Sequence, residues 1–263
     1  MPGHNAQFVG KKEPTTLSST TGVAEVVFHL EGVTKRRTGE HGFVLKIPKL
    51  TIHRGEKLAL VGFSGCGKST LLDLLAMVLR PDDAAKFTFF AHKEERLDVA
   101  DAWRRKDLDV LASSRMRHMG YVLQTGGLLP FLSVRDNIGL TRQGLGLPLQ
   151  GVVEALAKQL GIGRFLEKFP GQLSVGERQR VAIARAMAHK PSVVIADEPT
   201  ASLDPINAEE IMALFTSLTQ ECGVTLVVAT HEWERVEERG FRSIKFNIEQ
   251  NTTHETVLAT VSG

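Results

Sequence analysis

Apolar positions downstream of about residue 25 fall into short runs of spacing two that alternate with longer stretches of helical period. "AEVVFHLEGV" and "FVLKIPKLTI" predict two strands ahead of a turn at Gly55, and "KLALVG" predicts a compact buried strand after it. A helix follows at once in "KSTLLDLLAMVL", where Leu71, Leu72, Leu74, Leu75 and Val78 lie on overlapping faces until Pro81 and Asp82 stop it. "KFTFF" reads as a strand. "HKEERLDVADAWRRKDLDVLASSR" mixes helical period with so much charge that it reads as a solvated surface helix. After the buried strand "HMGYVLQ", residues from about 125 to 190 read as helix and loop, closing in "ERQRVAIARAMAHK". Two more apolar strands, "SVVIAD" and "VTLVVAT", flank a helix that Asp204 caps, Pro205 begins and Gly223 ends. The tail alternates around "QNTTH" as a hairpin does. Strands alternating with helices predict an α/β fold on a mostly parallel sheet, with a β-rich N-terminal part.

Composition narrows the classes. A chain of 263 residues, 42% hydrophobic, can bury a full core as one domain with a subdomain. Its 32 basic and 30 acidic residues nearly cancel, so nothing in the charge calls for nucleic acid. The apolar runs are strand-sized, well short of the roughly 18 residues of a spanning helix. Residues 1–24 lack an apolar signal core and are rich in Ser, Thr, Gly and Lys, which reads as a flexible tail outside the fold. With only Cys66 and Cys222, and no secretion signal, the expected compartment is the reducing cytoplasm.

The chemistry concentrates at the ends of the predicted strands. "GFSGCGKST" covers Gly62, Phe63, Ser64, Gly65, Cys66, Gly67, Lys68, Ser69 and Thr70, and matches G-x-x-x-x-G-K-[ST] between a strand and a helix. In that context backbone amides and the helix N-terminus face phosphate oxygens, Lys68 reaches the β and γ phosphates, and Ser69 is placed to ligate Mg²⁺. Asp197 ends "VVIAD" at the carboxyl edge of a parallel strand, where it can organise Mg²⁺. Glu198 follows it and is a candidate to take the proton of an attacking water. Gln124 and His231 follow buried strands on the same predicted edge and are candidates to sense the γ phosphate. "LSVGERQR" combines a capping box, Ser174 with Glu177, with a bare Gly176, leaving an amide-rich helix start open. Cys66, inside the Gly62–Thr70 loop and beside its amides, is expected to favour its thiolate, so that maleimide labelling blocks nucleotide binding.

"GFSGCGKST", Gln124, "LSVGERQR", "VVIADEPT", "SLDP" and His231 stand in the order and approximate spacing of ATP-binding-cassette ATPases, and the resemblance covers about residues 25 to 235. "LLPFLSVRDNI" and the stretch from Leu173 to Asp204 look most like the ATPase subunits of lipoprotein-releasing, macrolide-export and cell-division complexes. The resemblance implies a P-loop NTPase core whose α-helical subdomain, about 125–190, carries the signature motif, within a nucleotide-binding domain over 25–263. It implies ATP and Mg²⁺, Glu198 as general base, His231 on the γ phosphate, and Gln124 linking the magnesium site to a membrane partner. It implies a homodimer in which Ser174, Gly176, Glu177 and Asp204 complete the other copy's site, working on separate transmembrane subunits from the inner face of the cell membrane. Three departures stand out. Val175 replaces the first glycine of the signature pair and is expected to restrict the backbone there; Glu177 replaces glutamine; and Arg36 and Arg37 stand where an adenine-stacking aromatic is expected, with Arg37 and Phe43 as the two substitutes. The other readings are a soluble cassette ATPase of DNA repair or translation, which the short interval between Lys68 and Ser174 fits poorly, and a weakly active regulatory module.

Overall fold

The computed structural model describes residues 25–37, 42–92, 95–251 and 256–262. The tail expected over 1–24 lies outside the described residues. One ten-stranded sheet runs in the order β5-β4-β1-β2-β10-β9-β3-β8-β7-β6. Its parallel part is β3 (Lys57–Val61), β8 (Thr225–Thr230), β7 (Val193–Asp197) and β6 (Met119–Val122). Its other part is mostly antiparallel: β1 (Val26–Arg37), β2 (Gly42–His53), β4 (Lys86–Phe90), β5 (Arg96–Asp98) and β10 (Thr256–Ser262). β9 (Arg242–Asn251) joins the two, pairing by Arg242–Lys245 with β3 and by Phe246–Asn251 with β10. The turn of the β9–β10 hairpin lies outside the described residues.

Both faces of the parallel strands are covered, which is why they are continuous apolar runs rather than alternating ones. Val193, Ile195, Val227 and Ala229 pack into the same core as α1 (Lys68–Leu75). Their neighbours Val194, Ala196, Leu226 and Val228 pack on the other side, against α6 (Val175–Met187) and α7 (Pro205–Glu221). Between β6 and β7 the chain forms α4 (Val134–Gly144), α5 (Val152–Gln159) and α6. Gly120 fits where nothing larger does: a Cβ there would lie 2.3 Å from the Ala186 carbonyl oxygen, so α6 sits directly on β6. The last helix, α8 (Trp233–Glu238), follows β8.

Two expected elements differ. α1 ends at Leu75 instead of reaching Pro81, because Met77 takes a left-handed φ of 55° and the Val78 and Leu79 amides both turn back onto the Asp73 carbonyl. The Arg115 guanidinium holds the Met77 carbonyl at 2.7 Å, and Val78 is left 59% exposed instead of facing the core. The charged segment is not one solvated helix. It makes β5, then α2 (Val99–Arg105) and α3 (Leu108–His118), with Val99, Ala100, Ala102 and Leu111 buried. Two of its aspartates are helix caps: Asp98 accepts from the Asp101 amide at 2.9 Å, and Asp107 from Val110 at 3.3 Å.

Candidate functional site

The carboxyl ends of β3, β8, β7 and β6 lead respectively into the glycine loop, His231, the Asp197–Glu198 pair and Gln124. Parallel register sets this alignment, pairing Val61 with Thr230, Asp197 with Ala229 and Val122 with Ala196. Gly67 is the N-cap of α1 with φ 106° and no side chain to occupy the first-turn amides, so those amides stay open to an anion. A side chain at Gly67 would also be blocked by the Phe43 ring, whose Cζ lies 2.7 Å from the position of a Cβ. Phe43 is therefore seated against the phosphate loop. Arg37, the other substitute for the missing aromatic, is engaged by Asp73 at 3.4 Å.

Lys68 is buried, and its ammonium donates to the Gly62 and Phe63 carbonyls at 2.7 and 3.1 Å. Glu198 Oε1 is 3.8 Å from that ammonium, and Glu198 Oε2 is 3.9 Å from His231 Nδ1. Sequence positions 68, 198 and 231 thus converge on one carboxylate. Glu198 has φ 44°, a costly region for a residue with a Cβ, and is held there by its amide donating to the Ala229 carbonyl at 3.0 Å. Asp197 is half-buried beside Asp73, whose carboxyl burial pushes above the usual range; Arg37 opposes that rise and the charge of Asp197 adds to it. Burial, reinforced by the same two carboxylates, also pushes the Tyr121 phenol up. Ser69 and Gln124 are exposed near this acidic edge. A hydroxyl, an amide oxygen and a carboxylate form an all-oxygen donor set, which suits Mg²⁺.

Cys66 differs from expectation. It is 1% exposed, with Sγ packed under Gly62, so its thiol is closed to a reagent in the folded state. The capping box does form: Ser174 Oγ accepts from the Glu177 amide at 3.3 Å, and Glu177 Oε2 from the Ser174 amide at 2.8 Å. That amide holds the Glu177 carboxyl below its usual range. Val175 points outward, 42% exposed, and does not disturb the cap. Ser174, Gly176, Glu177 and Asp204 line a cleft of about 550 Å³ that contains no residue of the phosphate loop. One chain therefore presents the two groups of motifs on different surfaces.

Four residues escaped the sequence reading. Arg185 of α6 donates to the Gly127 and Gly126 carbonyls at 2.9 and 3.0 Å, and Gln179 reaches the Leu123 carbonyl at 3.5 Å. The signature helix thus holds the loop that carries Gln124. Buried Asn137 ties Leu129, Leu132 and Ser133 together through four hydrogen bonds. His189, buried beside β6, is the fourth. "LLPFLSVRDNI" held Asn137 in view, but no spacing rule marks an asparagine as internal.

A family model described as ABC transporter matches residues 45–201, well over half of the chain. The chain belongs to the ABC transporter family. It is an ATP-binding, ATP-hydrolysing subunit of the kind that energises these transporters. Among curated relatives, the macrolide export ATP-binding/permease protein MacB of Rhodopirellula baltica is 41% identical over 77% of this chain, which spans only 29% of that relative's length. The lipoprotein-releasing system ATP-binding protein LolD of Shewanella denitrificans is 39% identical over 72% of this chain and 78% of the relative. These are two of the three types that the sequence resembles. Among solved structures, the ATP-binding cassette MJ0796, described as dimeric and in a post-hydrolysis state with ADP and Pi, aligns with TM-score 0.67 and 30% identity, covering 83% of this chain and 93% of that one. No helix among the described residues of this cassette is long and apolar enough to cross a membrane.

Proposed function

We propose that two copies of this cassette close head to tail around ATP, each supplying the phosphate loop of one site and the signature loop of the other. The observation that carries the reading is the separation of the two motif groups: the cleft at Ser174 and Asp204 excludes the phosphate loop, so one chain holds two halves of different sites. Gly176 agrees with it. A Cβ there would meet only Ile211 and Leu203, at an ordinary 3.8 Å, so the fold itself accepts a side chain and the bareness serves an outside group. Exposed Phe63 and Ile206 flank the two halves and are covered when a second copy docks.

In the closed pair, the amides of residues 62–70 and the ammonium of Lys68 hold the triphosphate, exchanging the Gly62 and Phe63 carbonyls for phosphate oxygens. The helix start at Ser174 and Gly176 meets the γ phosphate from the opposite side, with Glu177 keeping that start ordered and Asp204 bordering the partner's loop. Ser69, Gln124 and Asp197 would hold Mg²⁺, whose charge offsets that of the β and γ phosphates. Glu198 accepts the proton of the attacking water, and His231, 3.9 Å from that carboxylate, orients it and contacts the γ phosphate. The γ phosphate adds contacts found only in the closed state, so binding closes the pair and hydrolysis releases it.

The work is delivered to separate transmembrane subunits, with the cassette peripheral on the cytoplasmic face of the membrane. A cleft of about 530 Å³ lined by Met116, Leu145 and Leu147 between α3 and α4 offers the docking place. The test compares wild type with Glu198→Gln. The variant is expected to hydrolyse ATP at least about 100-fold more slowly, the usual contribution of a general base, while forming a stable dimer in ATP. Equal rates in the two proteins would remove Glu198 from the chemistry, and a variant monomeric in saturating ATP would remove the sandwich.

A further inference from the structure

We propose that His92, Glu95 and His118 form a site for one divalent first-row transition-metal ion of the Zn²⁺ kind, remote from the nucleotide. One ligating atom from each of the three lies within 4.8 Å of the others. His118 Nε2 is already 3.1 Å from Glu95 Oε1, and the His92 ring stands edge-on to the His118 ring at 5.6 Å between centroids. Zinc–ligand bonds of about 2.0–2.1 Å place tetrahedral neighbours about 3.3 Å apart. The pair is therefore at ligand spacing, and rotation of the exposed His92 closes the rest.

The backbone prepares this arrangement. The Ala91 amide donates to the Glu95 carbonyl at 3.0 Å and the Glu95 amide to the His92 carbonyl at 3.2 Å, which folds the β4–β5 turn so that 92 and 95 face the same way. His118 is buried at the end of α3, its carbonyl held by the Ser192 amide at 2.9 Å, with the Phe89 ring 6.1 Å behind its own. One ligand is thus rigid and set against an apolar wall, and two are exposed and adjustable. A cleft of about 250 Å³ bounded by Phe89, Glu95, Arg117 and His118 leaves room for a water as fourth ligand.

Ligand chemistry selects the metal. Two imidazoles and one carboxylate favour Zn²⁺, Co²⁺ or Ni²⁺, whereas Mg²⁺ and Ca²⁺ want oxygen alone. Arg96 and Arg117 line the same cleft, so general negative charge does not draw cations there; affinity has to come from the imidazoles. The place in the fold gives the ion a job. β4 and β5 open the strand order and β6, which starts right after His118, closes it, so the metal would clip the two ends of the sheet together. The Ser192 hydroxyl donating to the Ala91 carbonyl at 2.9 Å and the His118–Glu95 contact at 3.1 Å already join those ends at this point, and the metal would reinforce them.

The test is Zn²⁺ titration by calorimetry in buffer containing millimolar Mg²⁺, with Co²⁺ absorption as a second readout. Wild type, His92→Ala and Glu95→Gln are compared; both substitutions are at exposed positions, so the chain stays folded. Wild type is expected to bind one more equivalent than either variant, or to bind it at least tenfold more tightly, and to give the intense visible spectrum of four-coordinate Co²⁺ that the variants lose. Identical stoichiometry and affinity in all three proteins, or no Zn²⁺ binding by wild type in the micromolar range, overturns the proposal.

Discussion

His189 makes stability depend on pH in a way that can be worked out from its contacts. Its Nε2 lies 3.1 Å from the Met119 carbonyl, which can only accept, so Nε2 carries the hydrogen. Nδ1 is left bare, buried and without a hydrogen-bond partner. A proton added there would gain no acceptor and would bring a charge out of water. Burial, with smaller repulsion from His118 and Arg142, outweighs the Met119 hydrogen bond and lowers the imidazole from 6.5 to about 4. Well above pH 6.5 neither folded nor unfolded chain is protonated at this position, and the residue contributes no pH dependence. Below it the unfolded chain binds a proton that the folded one refuses, so stability falls as pH drops and levels off below about 4. The full effect is about 3 kcal/mol, of which about 2 kcal/mol is lost by pH 5. His189→Gln keeps a donor for the Met119 carbonyl and cannot titrate. Urea unfolding of both proteins in EDTA at pH 7.5 and 5.0 should therefore show wild type losing about 2 kcal/mol more than the variant over that interval, other titrations cancelling. A difference below about 0.5 kcal/mol, the ordinary error of such comparisons, would refute the reasoning.

Other expectations follow from single contacts. Gly120→Ala places a methyl against the Ala186 backbone and should cost about 3 kcal/mol in urea unfolding, as overpacking against an immovable carbonyl does; a loss under about 1 kcal/mol would mean that α6 can shift on β6. Arg185→Met removes a charged donor from the Gly126 and Gly127 carbonyls, so it should cost about 2 kcal/mol and lower kcat for ATP more than it changes KM; an unchanged kcat would show that the loop carrying Gln124 does not need α6. Native maleimide labelling should modify Cys222, which is exposed, and spare Cys66, which is not, so Cys222→Ser should abolish fast labelling; rapid reaction of the remaining thiol would show that the phosphate loop opens readily.

Sequence made the nucleotide edge legible because each of its parts is punctuated locally. A glycine loop between a strand and a helix, acids at the end of an apolar run, and a capping box all announce themselves within a few residues. What stayed hidden depends on distant partners. Cys66 lies in a loop that spacing alone makes accessible, yet Sγ is tucked beneath Gly62. Asp98 and Asp107 looked like members of a charge run, because nothing in the run shows that a strand gives way to a helix at the first and that a new helix begins at the second. The early end of α1 at Met77 is stabilised by Arg115, which is remote in sequence. Phe43 and Arg37 were equal substitutes for the missing aromatic until the first was found against Gly67 and the second against Asp73.

The central claim is that each nucleotide is enclosed by two copies of the chain. The direct measurement is a disulfide between Ser64→Cys in the phosphate loop of one copy and Ser174→Cys in the signature loop of the other, both exposed positions, in a Cys222→Ser, Glu198→Gln background that holds ATP. Oxidation with ATP and Mg²⁺ should give a covalent dimer on a denaturing gel, with little without nucleotide or with either cysteine alone. Absence of the dimer while the same protein demonstrably binds ATP would contradict the account.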